Sequence, residues 1–444
     1  MANDPRAIIA KEDISLLQLI AIAITVGLNA LDGFDVVSIS FSAPGIAHDW
    51  GVAQSTLGIV LSMGLLGMAL GSVLVAPVAD VIGRRPMIVA CLVAMGAGML
   101  LSATANDVYM LSLWRVVTGL GIGAMLASLN AVAAEFSNDK RRDFSVAVMS
   151  IGYPIGVVVG GTIAAWLLTV HDWRAVFVFG GIITAVFIPL VLLFLPESIS
   201  FLMQKHPPNA LDRINAILQR MGHSTIDALP PAPAPADRGS PTDIFRGKLL
   251  PVTLVLAAVY FLHILTFYYM QTWLPKIIVD IGFTQAQGTG VLVWANLGGV
   301  FGGAVLGWLA YHYGLKPLTI LVTLGTAVVV ALFGQVTADL TTLKIVVFAA
   351  GFFWNAAIIG FYALAARGFP THARASGTGF MIGVGRGGSV LAPILAGFLF
   401  QAGFGRELVS LLMALGSLAS ALVLLVGLRR TLGEKTAHLD PHAV

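Results

Sequence analysis

The chain has 444 residues, 57% hydrophobic and only 11% charged, with a formal net charge of +3 and a mean hydropathy of +0.90. A soluble chain is about 25% charged, so a water-covered globule is excluded, and the small net charge argues against a nucleic-acid partner. Cys91 is the single cysteine, which excludes an intramolecular disulfide framework, a CxxC redox pair and a cysteine-rich metal site.

Apolar runs long enough to cross a bilayer recur from end to end, which predicts an all-α membrane protein. The expected spans are 16–44, 55–77, 87–104, 108–134, 144–169, 174–195, 249–272, 288–310, 317–335, 341–366, 375–401 and 406–428. The polar start leads into the first run without a small-residue cleavage site, so that run is expected to stay as a span. Twelve spans put both termini on one side. Nineteen Lys and Arg fall at the termini and even-numbered connections and four on the opposite side. The positive-inside rule then predicts cytoplasmic termini, and the setting expected is a bacterial inner membrane.

The longest polar segment, 196–248, separates two six-span halves, 1–195 and 249–444. It contains NALDRINAILQRMG, patterned as an amphipathic helix expected to lie on the membrane surface. A Pro/Ala-rich linker, PPAPAPADRGSP, follows. The halves repeat: an offset of 231 residues aligns Pro44 with Pro275, Gly51 with Gly282, Gln54 with Gln285, Gly67 with Gly298, Gly71 with Gly302, Gly83 with Gly314 and Pro86 with Pro317. A one-residue slip to 232 aligns Arg142 with Arg374. Two parallel six-helix halves are the architecture of a transporter that rocks around a midplane site.

Motifs sit at matching places. The second connection reads APVADVIGRRP, and its repeat copy, GWLAYHYGLKP, has Tyr311 where the first copy has Asp80. Arg115 begins an R-x-x-x-G-x-G-x-G pattern in the fourth span, and Pro196-Glu197-Ser198 follows the sixth. On these residues the chain resembles the major facilitator superfamily over nearly its whole length. The resemblance implies a gating lock at Asp80, Gly83, Arg84 and Arg85, in which an aspartate faces a helix N-terminus and nearby arginines. Ala76 departs from the family's first glycine, and Tyr311 implies a weaker lock in the second half.

DGFD in the first span, with Asp32 and Asp35, and GVGRGGSVLAP in the eleventh, with Arg386, are similar to the aromatic acid:proton symporter family of 4-hydroxybenzoate and benzoate-type transporters. That resemblance implies uptake of benzoate-like acids, hydroxybenzoates, phenylpropanoids or muconate with protons. It carries functional positions over to Asp32, Asp35, Arg115, Glu135 and Arg386.

The residues support this on their own chemistry. A carboxylate at a bilayer centre costs about 2.5–3.5 kcal/mol on insertion scales, and Asp32 and Asp35 lie one turn apart on a helix face that Asn29 continues. Neighbouring carboxylates repel and desolvation penalises charge, so one of the pair is expected to hold a proton. The competing reading is a helix–helix hydrogen bond. Arg386 lies about 18 Å into its span at 1.5 Å per residue, placed to clamp a substrate carboxylate with its planar fork or to form a standing ion pair with one of the aspartates. Arg115 is open to the same two roles.

The seventh span aligns His263 with Asp32 and Thr266 with Asp35, amid Tyr260, Phe267, Tyr268, Tyr269 and Trp273. His263, Thr266, Phe267 and, in the tenth span, Trp354, Asn355 and Tyr362 are cavity candidates; core or lipid-facing packing is the alternative for each. Glu135, Arg142, Arg367 and Arg374 repeat at the cytoplasmic ends of the fourth-to-fifth and tenth-to-eleventh connections and read as an inner gate.

The function expected is proton-coupled import of a small aromatic carboxylate by a monomer, with no cofactor, no metal and no enzymatic step. A proton-coupled drug exporter also uses intramembrane acids, but Arg386 favours an anionic cargo. A sugar-porter-like facilitator is suggested by Pro196-Glu197-Ser198 and leaves DGFD unexplained.

Overall fold

The computed structural model describes residues 4–229, 241–247 and 249–427. All but the last residue of the Pro/Ala-rich linker, and the tail of the expected 249–444 half, lie outside them. Among the described residues there is no strand, and twelve helices are long and apolar enough to cross a membrane. In hydrocarbon each backbone N–H and C=O must be satisfied within its own segment, which a helix achieves. The chain is a multi-pass membrane protein.

The first six spans are α2 (Leu16–Trp50), α3 (Gln54–Leu70) continued by α4 (Ala79–Ile82), α5 (Arg84–Ala103), α6 (Val108–Glu135), α7 (Arg142–Val170) and α8 (Arg174–Phe194). A short α1 (Pro5–Lys11) precedes them, and α9 (Ile199–Lys205) and α10 (Ala210–Met221) follow. The second six are α11 (Leu249–Asp280), α12 (Gln285–Tyr313), α13 (Leu315–Gln335), α14 (Leu340–Gly368), α15 (Thr371–Gln401) and α16 (Arg406–Gly427). Two compact units result: Met1–Ser42 with Met63–Ala236, and Ala43–Ser62 with Asp237–Val444.

The sequence repeat has a physical cause in each unit. Gly83 and Gly314 turn the chain into the next helix at φ +105° and +82°, a region that side chains rarely adopt. Gly71 lies so close to α6 that a Cβ would overlap the Leu120 carbonyl, and Gly302 lies the same way on Phe352 of α14. The helix pairs α3–α6 and α12–α14 are therefore one crossing made twice. Small residues at such crossings let backbones approach, the main source of packing energy between helices in lipid.

The seam between α2 and α7 is closer still. A Cβ on Gly156 would overlap the Ala30 carbonyl, and one on Gly33 would overlap that of Tyr153. Pro154 inside α7 has no N–H for the Ser150 carbonyl one turn earlier. Asn29 approaches that carbonyl at 3.4 Å and donates to the neighbouring Met149 carbonyl at 2.8 Å.

The amphipathic helix forms as α10, but its apolar side, Ile214, Ile217, Leu218 and Met221, is covered by protein. It is not left for a membrane surface, because the chain beyond it is anchored to the bundle. His223 meets Glu12 at 2.5 Å and Gln18 at 3.1 Å, and Gln18 donates to the Phe136 carbonyl at 3.1 Å.

Gly156→Val is expected to cost at least the about 1–3 kcal/mol of an overpacked site, read as a lower thermal midpoint in detergent. Gly307→Ala meets no atom within 4 Å and should leave the midpoint unchanged or slightly raised.

Candidate functional site

Asp32, Asp35 and Arg115 are all buried in the first unit. Neither carboxylate oxygen of Asp35 accepts a hydrogen bond, and the carboxylate lies where a Cβ on Gly180 of α8 would stand 3.1 Å from Oδ1. Arg115 is the cation that acts on it. Its guanidinium donates through Nη2 to the main-chain carbonyl of Asp35 at 2.7 Å, meets the Met99 sulfur at 3.1 Å, and stands 5.6 Å over the Phe177 ring. Arg115 is 1% exposed among α2, α5 and α8, with its charge acting on Asp35. The Asp32 charge reaches Cys91 on α5.

The second unit holds a different arrangement. Arg386, on α15, is half-buried, and its charge reaches the hydroxyls of Tyr260 and Tyr268 on α11. The Tyr260 and Tyr362 hydroxyls are 2.9 Å apart. Phe267 packs edge-on to Tyr268 and to Trp354, with ring centroids 4.9 and 5.8 Å apart. A guanidinium, phenolic hydroxyls and aromatic rings are the chemistry that an aromatic carboxylate needs: one charged fork, hydrogen-bond donors and apolar walls. From the sequence, Tyr260 and Tyr268 are aromatic neighbours of His263 that could offer walls and hydroxyls to a ring; their partners on α14 and α15 are remote along the chain.

His263 and Thr266, aligned by the repeat with the two aspartates, are spent on packing. His263 Nε2 faces the Trp354 carbonyl at 3.1 Å and Nδ1 faces the Ser417 hydroxyl at 3.0 Å, so neither ring nitrogen is left for a ligand. The Thr266 hydroxyl donates to the Met413 carbonyl at 2.6 Å and accepts from the Ser417 N–H at 2.9 Å. Those two groups are one helical rung of α16, and the hydroxyl is inserted between them. Asn29 is occupied by the α7 backbone, as described above. Asn355 lies against Gly299, where a Cβ would meet its Nδ2 at 2.8 Å.

The motif residues around Gly83 form a built cluster. Asp80 pairs with Arg84 at 2.9 Å, and Arg85 donates to the Leu192 carbonyl. Glu197, in the motif after the sixth span that resembles a second cytoplasmic charge cluster, organises the group. Its Oε1 accepts from the N–H groups of Arg84 at 2.9 Å, Arg85 at 3.3 Å and Ser198 at 2.8 Å. A carboxylate there satisfies free donors at the start of α5 and opposes the positive helix end. Gly83 leaves it room, since a Cβ would overlap the carboxylate. Ser198 donates to Glu135, and the charges of Arg84 and Arg142 reach that acid. Arg367 and Arg374 are exposed, and Tyr311, at the place of Asp80 in the repeat, is 89% exposed.

Comparison with known proteins agrees with this architecture. The family model described as Major Facilitator Superfamily matches residues 25–386, with a further match over 256–441. The chain is 30% identical over 404 residues to the 4-hydroxybenzoate transporter of Pseudomonas aeruginosa, covering 90% of each chain. It is 29% identical over 402 residues to the gallate transporter of Pseudomonas putida, covering 89% of this chain and 88% of the relative. Identity to the 3-(3-hydroxy-phenyl)propionate transporter of Escherichia coli is 28%, over 92% of this chain and 94% of the relative. Among solved structures, a bacterial homologue of the human lysosomal transporter Spinster, inward-facing and unoccupied, gives a TM-score of 0.63 at 15% identity, covering 93% of this chain and 95% of that one. That likeness concerns the fold alone.

Glu197→Ala leaves three N–H groups without their acceptor, and each unsatisfied buried donor costs about 1–3 kcal/mol. A clear fall in thermal midpoint is expected for the purified protein, with a smaller fall for Glu197→Gln, which keeps an acceptor oxygen.

Proposed function

The chain belongs to the Major Facilitator Superfamily, and from that premise we propose that it imports a small aromatic carboxylate, such as benzoate or a hydroxybenzoate, together with protons. It is a transporter, not an enzyme. The observation that carries the cargo class is the cluster of Arg386, Tyr260, Tyr268, Phe267 and Trp354 in the second unit. Arg386 supplies the fork for the carboxylate, and the rings supply the walls. The relatives named for aromatic acids support the same reading.

Proton coupling rests on Asp32 and Asp35. A buried carboxylate without a hydrogen-bond donor, as at Asp35, is costly as an anion and gains by binding a proton. Arg115 supplies the opposing charge when that proton leaves. Water access that alternates between the two membrane faces would load the acid on one side and unload it on the other, so proton flow drives accumulation.

Asp80, Gly83, Arg84, Arg85, Glu135 and Arg142 in the first half, with Arg367 and Arg374 in the second, are assigned to an inner gate. His263 and Thr266 are assigned to packing. The charge asymmetry of the connections supports cytoplasmic termini in a bacterial inner membrane, and a monomer suffices because the acid pair and the arginine site lie in one chain.

In proteoliposomes, an inside-alkaline pH gradient should drive accumulation of radiolabelled benzoate or 4-hydroxybenzoate, and Asp32→Asn and Asp35→Asn should abolish accumulation. Normal accumulation by both variants would sink the coupling assignment. Arg386→Ala should lose uptake; retained uptake would remove the carboxylate clamp and favour export of apolar drugs.

A further inference from the structure

The close seam between α2 and α7 does not run the whole length of the two helices. Their backbones touch at Gly152 and Gly156, where a Cβ would overlap the Val26 and Ala30 carbonyls. Nearer their starts the helices stand apart and leave a groove of about 320 Å³. Leu19, Ile22, Ala23 and Val26 of α2 form one wall. Arg141, Phe144, Ser145 and Val148, at the start of α7, form the other. Each set follows the i, i+3, i+4, i+7 spacing of one helix face, so the walls run for about 10 Å at 1.5 Å per residue.

Polarity is the first guide to what fills this groove. Apart from Ser145 the walls are apolar up to the end where α7 starts, and Arg141 stands there. Among the described residues, no carboxylate lines the groove and no acid pairs with this guanidinium. No side chain caps the start of α7 at Arg141, and Asp143 is the single acid in its first turn. The guanidinium and the positive helix end therefore add, and an anion at the rim would oppose both.

The surface around the groove is the second guide. Phe144 is 68% exposed and starts an apolar stripe that Ile151, Ile155, Val159 and Trp166 continue along the exposed face of α7. Leu19, 48% exposed, extends it onto α2. An apolar stripe of this length on a spanning helix is a surface for hydrocarbon. The groove is a recess in that surface with its one charge at the end of the span.

We infer that the groove seats one acyl chain of an anionic phospholipid, with Arg141 binding the head-group phosphate at the membrane face where α2 and α7 begin. Basic pockets between spanning helices hold acidic head groups in this way. The chain fills the wedge that the glycine seam leaves open, and Arg141 discriminates by head-group charge. The site involves neither the aspartates nor Arg386, so it stands whatever the cargo.

The test uses the purified full chain in detergent, with dioleoylphosphatidylglycerol and dioleoylphosphatidylcholine as probes. Native mass spectrometry counts retained lipid, and titration gives its affinity. The wild type should retain one phosphatidylglycerol in preference to phosphatidylcholine and gain thermal stability from it. A basic side chain at the membrane surface contributes a factor of roughly five toward anionic lipid. Arg141→Ala should weaken phosphatidylglycerol binding by at least that factor, and Arg141→Lys should keep most of it. Ala23→Trp fills the groove and should lose the retained lipid. Arg141 and Ala23 are both exposed, and the lipid-free thermal midpoint shows that each variant is folded.

Equal retention of the two lipids overturns the inference, as does unchanged phosphatidylglycerol affinity in folded Arg141→Ala or Ala23→Trp. Displacement of phosphatidylglycerol by benzoate overturns it in another way, making the groove a site for the small carboxylate.

Discussion

A charge held in hydrocarbon must be answered by polar groups of the same bundle, and the chain answers its two intramembrane arginines differently. Arg115 is enclosed. A main-chain carbonyl, a thioether and an aromatic face surround its guanidinium, and the nearby acid supplies the opposite charge. Arg386 is only half-buried, and its charge reaches the hydroxyls of Tyr260 and Tyr268. The roles proposed for the two, an internal counter-charge for Arg115 and a carboxylate clamp for Arg386, start from that difference. Much of the functional reading follows from this difference in surroundings between chemically identical side chains.

Packing makes those surroundings possible. Helices in lipid gain little from burying apolar surface against each other, so close backbone approach has to supply the energy. Gly71, Gly156 and Gly302 remove side chains where carbonyls of the next helix come in. Polar side chains then occupy backbone positions. Thr266 stands inside a rung of α16, and Asn29 bonds carbonyls of α7 beside Pro154. These bonds hold helix pairs together and consume side chains that would otherwise be counted as ligands. Glu197 does the same work at the water end, where its carboxylate caps α5.

Much of the site was legible in the residue order because its cost was legible. Aspartates and arginines inside apolar runs stand out, and Asp32, Asp35, Arg115 and Arg386 could be named from hydropathy alone. The family pattern around Gly83 was equally readable, since a tight turn permits few residue types. The contact between the Tyr260 and Tyr362 hydroxyls was not readable, although Tyr362 was a cavity candidate, because it exists only where α11 and α14 meet. His263 shows a related limit. The repeat places it opposite Asp32 in the alignment, yet alignment preserves a position on a helix and not the identity of the neighbours that its side chain finds.

The sequence by itself determined the number of membrane helices, the two-fold repeat and the acids and arginines that must be compensated. Hydropathy, glycine spacing and charge are local properties, and each leaves its mark along the chain. Only the tertiary structure decided which arginine is sealed and which is half-buried, and which hydroxyls are spent in packing. It also decided that the apolar face of α10 is covered by protein. Hydropathy reports that a side chain avoids water and is blind to whether lipid, a neighbouring helix or a ligand takes water's place.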